Sequence, residues 1–353
     1  MSTSDKPKSG KPGSPRQQDN SGGMSMIVIT GPTGHIGNVL VRELLERGER
    51  VRGLVLPGED LTPIRGLDME TVEGDILDPD SLVRAFEGAD VVYHLAGVIS
   101  IVPGEWDRLY KVNVEGTRNV IRACFICGVK RLVYASSIHA FAEPSPGVVF
   151  DETSPFDPDR LSMEYDRSKA MATLEVLEAV TQGLDAVVVC PTGVMGPYDY
   201  RLSEMGRLIR DFSRKTLIGY VNGAYDFVDV RDVAKGLILA CERGKRGESY
   251  ILSGERITIP EIMSVLEELT GSPRPRLKFP VWLAEIAAAI LTPLYLMVTR
   301  KRPLLTTSSI QTLQRNSETT SQKAISELGY SARPLRQSIE DSIKWLKDHG
   351  IVS

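Results

Sequence analysis

Cysteine and histidine are scarce, with four of each in 353 residues. Only Cys124 and Cys127 lie close together, and "NVIRACFICGVK" has neither a second CxxC pair nor nearby histidines. Structural zinc needs four such ligands, so no metal site is expected. Cys190 and Cys241 stand apart. The four thiols read as small apolar residues of a reduced, cytoplasmic protein rather than a disulfide framework. A basic excess is also missing. Lys and Arg total 42 against 46 Asp and Glu, a net charge of −4. That excludes the electrostatic footprint of a nucleic-acid-binding protein. A leading apolar run is absent as well. Residues 1–23 are rich in Ser, Gly, Pro and Lys, unlike a secretory leader, and read as a disordered tail.

From Met26 the pattern changes. "MIVITG" is a short continuous apolar run, as in a buried parallel strand, and "HIGNVLVRELLERG" has helical periodicity with a closing glycine. "RVRGLVL", "METVEGD" and "DVVYHLAG" read as further strands, with "SLVRAFEG" as a helix between the last two. A long helix over roughly 105–128 precedes the strand "RLVYASS". A helix beginning near Tyr165 precedes the strand "DAVVVCPTGV". Alternating strands and helices predict an α/β, Rossmann-type, doubly wound parallel sheet. Residues 24–195 would form this dinucleotide-binding domain. Residues 196–353, less regular, would form mainly a substrate-binding lobe, partly woven back into the sheet.

"TGPTGHIG" joins the first strand to the first helix and carries Gly31, Gly34 and Gly37. Such a turn needs backbone free of Cβ crowding, and an anionic pyrophosphate must reach the amides that open the helix. A tight turn alone would also use glycine. The strand before and the helix after it favour dinucleotide binding.

The spacing is G-x-x-G-x-x-G. With "EGDILDP", "YHLAG", "VNVEGTRNV", "YASS", "YDRSK" and "CPTGVMGP" following in order, the chain resembles the extended short-chain dehydrogenase/reductase family over roughly residues 26–348. Its look is nearest to dihydroflavonol-reductase-like and 3β-hydroxysteroid-dehydrogenase-like members. The resemblance implies a cofactor site built from Gly31, Thr33, Gly34, His35, Ile36 and Gly37. Asp75 and Ile76 would meet the adenine side, Leu95, Ala96 and Gly97 would line the fourth strand's end, and Lys169, Pro191 and Val194 would complete the site. Asn113 is expected to support the helix at the site rather than take part in the chemistry.

In "EYDRSKA", residues 164–170, Tyr165 and Lys169 lie one helical turn apart on one face. A free phenol has a pKa of about 10, too high for easy proton exchange. A neighbouring ammonium favours the phenolate. Tyr165 could then give a proton to a carbonyl oxygen, or take one from an alcohol, as hydride moves. By resemblance Lys169 also holds the nicotinamide ribose, and Ser137 is the serine that holds the substrate oxygen. Ser136 is its alternative. Asp166 and Arg167 read as a solvated helix start.

The cofactor is expected to be NAD or NADP. The acidic residue that would bond the NAD ribose and the arginine that would meet an NADP phosphate are both missing; Val55 and Leu56 stand there. Arg52 shares a strand face with Leu56 but sits further back. The lean is to NADP, because the similar-looking relatives are reductases. Nucleotide-sugar enzymes tend to carry "RDF" where this chain has Tyr225, Asp226 and Phe227. Losing that bidentate cation disfavours a diphosphate substrate. Ile138 and His139 stand where sugar dehydratases have an Asp-Glu pair. Ile99, Ile138, His139, Phe141, Met195 and Tyr198 are instead expected to face a moderately apolar carbonyl or alcohol, though His139 could equally be a satisfied structural group. The competing expectations are a nucleotide-sugar epimerase with retained NAD and a non-catalytic nucleotide sensor.

"VWLAEIAAAILTPLYLMVTRKRP", residues 281–303, carries one acidic residue, Glu285, before the cluster Arg300, Lys301 and Arg302. It is short for a span and interrupted by Pro293. It reads as short helices roofing the pocket, with peripheral membrane contact as the alternative. A monomer or homodimer acting on a small molecule is expected.

Overall fold

The computed structural model describes Met1 and residues 25–100, 104–145, 148–289, 307–314 and 318–352. The expectations for the tail beyond Met1 and for residues 290–303 lie outside the described residues.

Seven parallel strands form the main sheet: β1 (Met26–Thr30), β2 (Arg50–Val55), β3 (Glu70–Glu73), β4 (Val91–His94), β5 (Arg131–Ala135), β6 (Ala186–Pro191) and β10 (Ser249–Leu252). Their order across the sheet is β3-β2-β1-β4-β5-β6-β10. The chain therefore returns from its second half to supply an edge strand. β1 and β6 are buried on both faces, which is why they read as unbroken apolar runs. The order reverses between β1 and β4. In open α/β sheets that switch point opens a crevice at the strands' carboxyl ends.

The two faces of the sheet are covered by two apolar clusters. On one side lie Leu82 and Phe86 from α2 (Pro79–Phe86), and Val120 and Cys124 from α4 (Gly116–Cys127). Val176 from α5 (Glu164–Thr181) completes that side. On the other lie Leu40 and Leu44 from α1 (His35–Glu46) and Leu237 from α7 (Val230–Arg243). The long helix expected over roughly 105–128 is composite. A four-residue turn, α3 (Trp106–Leu109), runs into a π-helical stretch, Tyr110–Glu115, and then α4. Asn113 sits in the π stretch, a wide turn that often marks a functional place.

Beyond the sheet, β8 (Gly219–Val221) pairs in parallel with β12 (Leu277–Phe279), and β7 (Gly193–Met195), β9 (Ala224–Asp229) and β11 (Glu255–Thr258) make a small sheet in the order β11-β9-β7. It packs with α6 (Glu204–Ser213), α8 (Ile259–Thr270) and a C-terminal helix, Leu335–Asp348, in a third apolar cluster. Residues 281–289 are helical. Ala284 and Ala288 pack against Val221, while Trp282, Leu283 and Ile286 are exposed. This part of the stretch therefore presents an apolar face outward. Among the described residues no helix is long and apolar enough to cross a membrane.

Candidate active site

The glycine loop crosses the mouth of the crevice. Gly31 has φ +73°, and a Cβ there would lie 2.9 Å from the Ala96 amide nitrogen. The loop and the end of β4 therefore lie in close contact: Leu95 N donates to Thr30 O, and Ala96 N to the Thr30 side-chain Oγ1. Gly37 is tighter still, since its Cβ would fall 2.1 Å from Gly31 O. Helix α1 opens with no side-chain cap and no acidic residue in its first turn. Bare amides and the positive helix end face the crevice, as an anionic group requires. The residues present fit a dinucleotide's pyrophosphate.

At the end of β5 the chain turns into a short 3-10 helix, Ile138–Ala140, with Ser137 as its cap. The Ser137 hydroxyl accepts from the His139 amide and stands beside the Tyr165 phenol. Ser136 points the other way, hydroxyl to hydroxyl with Thr173 at 2.7 Å. Of the two candidate serines, Ser137 is the one beside Tyr165. Glu164 and Asp166 open α5 and suit its positive end. Asn113 pins this helix to the end of β4: its amide donates to Ser168 Oγ and to Val98 O, and its Oδ1 accepts from Val98 N.

Lys169 is buried, and its ammonium donates to Tyr134 Oη and Ala135 O, both at 2.8 Å. Burial pulls it down to about 7. Burial also pushes the Tyr165 phenol above its ordinary value, with Ser137's hydroxyl working the other way and the Asp166 charge adding to the rise. Behind Lys169, His94 bridges Thr30 at 2.8 Å and Thr117 at 3.0 Å. Its own burial and the nearby lysine take it down to about 3, so this histidine stays neutral.

The lysine carries a pH signature. An unfolded lysine keeps its proton to about pH 10, whereas folded Lys169 releases it above about pH 7. Where only the unfolded chain binds the proton, stability rises with pH; below pH 7 both states bind it and the contribution is flat. The cofactor-free protein is expected to gain roughly 2 kcal/mol over its Lys169→Met variant between pH 7 and pH 9. Urea unfolding of both proteins at the two pH values checks this. Parallel pH dependence would contradict it.

Several residues expected to face substrate do not. Phe141 is only 1 % exposed and stacks on Phe156, ring centroids 4.1 Å apart, inside the core. Met195 and Ile138 are buried in apolar clusters. Tyr198 turns away to α1, where the Arg42 guanidinium lies 4.8 Å above its ring. His35 is held by Pro197 O at 2.9 Å, tying α1 to the loop after β7. Arg52 pairs with Glu70 and donates to Ala85 and Glu87 carbonyls, a structural task. Ile99 is exposed. Ile76 is buried against Gly116, and Asp75 accepts from Leu77 N. Of the expected substrate residues, His139 stands beside Tyr165, ring edge to face at 6.3 Å.

Two residues escaped the sequence reading. Asp166 is not solvated but 1 % exposed, with Oδ1 3.6 Å from His139 Nδ1. Glu59, in the loop after β2, accepts from Thr33 Oγ1 at 2.5 Å, Arg201 at 2.6 Å and Leu56 N at 3.1 Å. It lies past the strand end where an acidic residue was sought, so the spacing hid it.

Comparison with known proteins agrees with this geometry. The model of the NAD dependent epimerase/dehydratase family matches residues 27–253. The chain belongs to that family. Within the family it is similar to sterol demethylase protein B of Methylococcus capsulatus, 37% identical over 92% of this chain and 99% of the relative. It is 32% identical to 3beta-hydroxysteroid-dehydrogenase/decarboxylase isoform 1 of Arabidopsis thaliana, over 79% of this chain and 67% of the relative. A solved structure, gox2253, superposes with a TM-score of 0.81 at 34% identity, over 93% of this chain and all of that one. The chain is thus an extended short-chain dehydrogenase/reductase, an oxidoreductase acting on alcohol or carbonyl carbon with a nicotinamide dinucleotide.

Proposed function

We propose that this protein interconverts a secondary alcohol and a ketone on a bulky apolar substrate, and that Ser137, Tyr165 and Lys169 carry the proton chemistry. The observation that carries the reading is the Ser137 hydroxyl beside the Tyr165 phenol, one helical turn from Lys169, at the carboxyl end of β5. When bound, the nicotinamide supplies or takes the hydride. Ser137 holds the substrate oxygen, and Tyr165 gives it a proton in reduction or takes one in oxidation. Lys169 lowers the cost of the phenolate by its charge. Two relatives whose names carry sterol and hydroxysteroid support an apolar, ring-bearing substrate. Tyr225 in place of a diphosphate-clamping arginine speaks against a sugar nucleotide.

The cofactor in this reading is NAD, against the lean drawn from sequence. Glu59 sets a carboxylate against Thr33 of the glycine loop, just past the end of β2. A ribose hydroxyl can donate to it, as to the acidic residue that follows the second strand in NAD-binding folds. Wild type is expected to use NAD better than NADP by kcat/KM. Glu59→Gln is expected to shift that ratio toward NADP by about tenfold, one hydrogen bond to a charged group. Kinetics of both proteins with both cofactors, on a panel of steroid ketones, flavanonols and aldehydes, test the reading. An unshifted ratio removes Glu59 from it. A panel on which nothing reacts removes the proposed substrate class.

A further inference from the structure

A cation from beyond the main sheet reaches the glycine loop. Arg201 lies in the loop between β7 and α6. Its Nη2 donates to Glu59 Oε1 at 2.6 Å and to Thr33 Oγ1 at 3.0 Å. Thr33 is buried in the glycine loop, directly before Gly34, the residue that precedes α1. Glu59 also lines a cavity of about 480 Å³ with Leu61, Ile64 and Met69, so the pair stands beside open space.

The loop that carries Arg201 is fastened along the opening of α1. His35 Nε2 lies 2.9 Å from Pro197 O, Asn38 Nδ2 donates to Tyr198 O, and the Arg42 guanidinium covers the Tyr198 ring. At the loop's other end Asp199 is buried and accepts from Ser203 N. The backbone on either side of the arginine is therefore held, while its side chain is 60 % exposed.

The charges make this placement informative. A helix opens with a positive end, and α1 has neither an acidic residue nor a side-chain cap there. A guanidinium beside it has the same sign. Glu59 offsets that charge, its Oε1 accepting from both Thr33 and Arg201. With the arginine so open to solvent, the pair itself is weak. An anion on the α1 amides would bring a stronger partner, because the guanidinium fork matches paired phosphate oxygens.

We infer that Arg201 is a cofactor-binding residue, which turns from Glu59 to clamp the pyrophosphate of a dinucleotide lying on the glycine loop. The family supplies the dinucleotide; the clamp is supplied by this chain's own loop after β7. The inference rests on the dinucleotide site at the glycine loop and is independent of the substrate class.

Binding tests this without turnover. NADH and NADPH affinities are read by fluorescence titration in wild type, Arg201→Gln and Arg201→Lys. ADP and adenosine are each read as competitors that displace the reduced cofactor. Arg201→Gln is expected to weaken NADH, NADPH and ADP by about tenfold or more, one lost hydrogen bond between charged groups. Adenosine, which has no phosphate, is expected to bind all three proteins alike. Arg201→Lys keeps the charge without the fork and is expected to fall between. Added salt is expected to weaken ADP in wild type and much less in Arg201→Gln. If adenosine weakens along with ADP and the Arg201→Gln thermal midpoint drops, the arginine only holds the loop in shape, which overturns the inference. Unchanged NADH affinity also overturns it, and a loss confined to NADPH would place the arginine on the ribose phosphate instead. If wild type binds neither cofactor, the dinucleotide site itself fails and the inference with it.

Discussion

Tyr165→Phe is expected to lower kcat by about three orders of magnitude while cofactor affinity stays within a few-fold of wild type. A positioned general acid or base contributes roughly 10²–10⁴ in rate. The substitution keeps the ring, and with it the edge contact to His139. It removes only the hydroxyl that stands beside Ser137. Nothing at the glycine loop changes, since Gly31, Gly37 and the opening of α1 lie on other elements. Phenylalanine cannot exchange a proton, so the loss belongs in kcat rather than KM. Steady-state rates and a fluorescence titration of the cofactor, run on the same preparation, separate the two. A variant that turned over normally would remove Tyr165 from the chemistry. One that lost the cofactor as well would make it a structural residue.

Gly37→Ala is expected to abolish useful cofactor binding. Its Cβ would lie 2.1 Å from Gly31 O and 3.0 Å from both Gly31 C and Pro32 Cα. All three are backbone atoms, so no side-chain rotation relieves the overlap. The loop must move, at a stability cost of about 1–3 kcal/mol for overpacking. That displaces the amides opening α1. Losing two hydrogen bonds to a charged group, at about 1.5–3 kcal/mol each, weakens binding by at least about two orders of magnitude. Gly48→Ala is the control. Gly48 also has a positive φ, +79°, but nothing lies within 4 Å of where its Cβ would go. It introduces backbone strain without touching the loop. Equal cofactor affinity in both variants would contradict the role given to the glycine turn.

What the sequence disclosed and what it hid divide along a physical line. The glycine turn, the Tyr165–Lys169 spacing and the alternation of strands and helices are local: each depends on a few consecutive residues and on one element's geometry. Those features were legible. Facing was not. Phe141 is apolar and directly follows the capped turn, so it read as a pocket wall; Phe150 and Phe156, contributed by a later loop, draw it into the core. Tyr198 read the same way, yet Arg42 on a distant helix holds its ring. Asp166 was misread in the other direction. Charge in a helix's first turn is usually solvated, but here His139 is packed over it. Glu59 failed on register alone, because the loop folds back and brings a residue beyond the strand end onto Thr33. Each error concerns a partner remote in sequence, and each partner is visible only once the sheet is assembled.

In the proposed reaction this chain oxidises or reduces its substrate with net use of the nicotinamide, instead of oxidising and re-reducing one carbon as an epimerase does. Cofactor absorbance and quenched product analysis, measured together on the carbonyl panel, address it directly. One reduced cofactor is expected to be consumed for each carbonyl converted, in wild type and not in Tyr165→Phe. Product formed with the cofactor spectrum unchanged would contradict it.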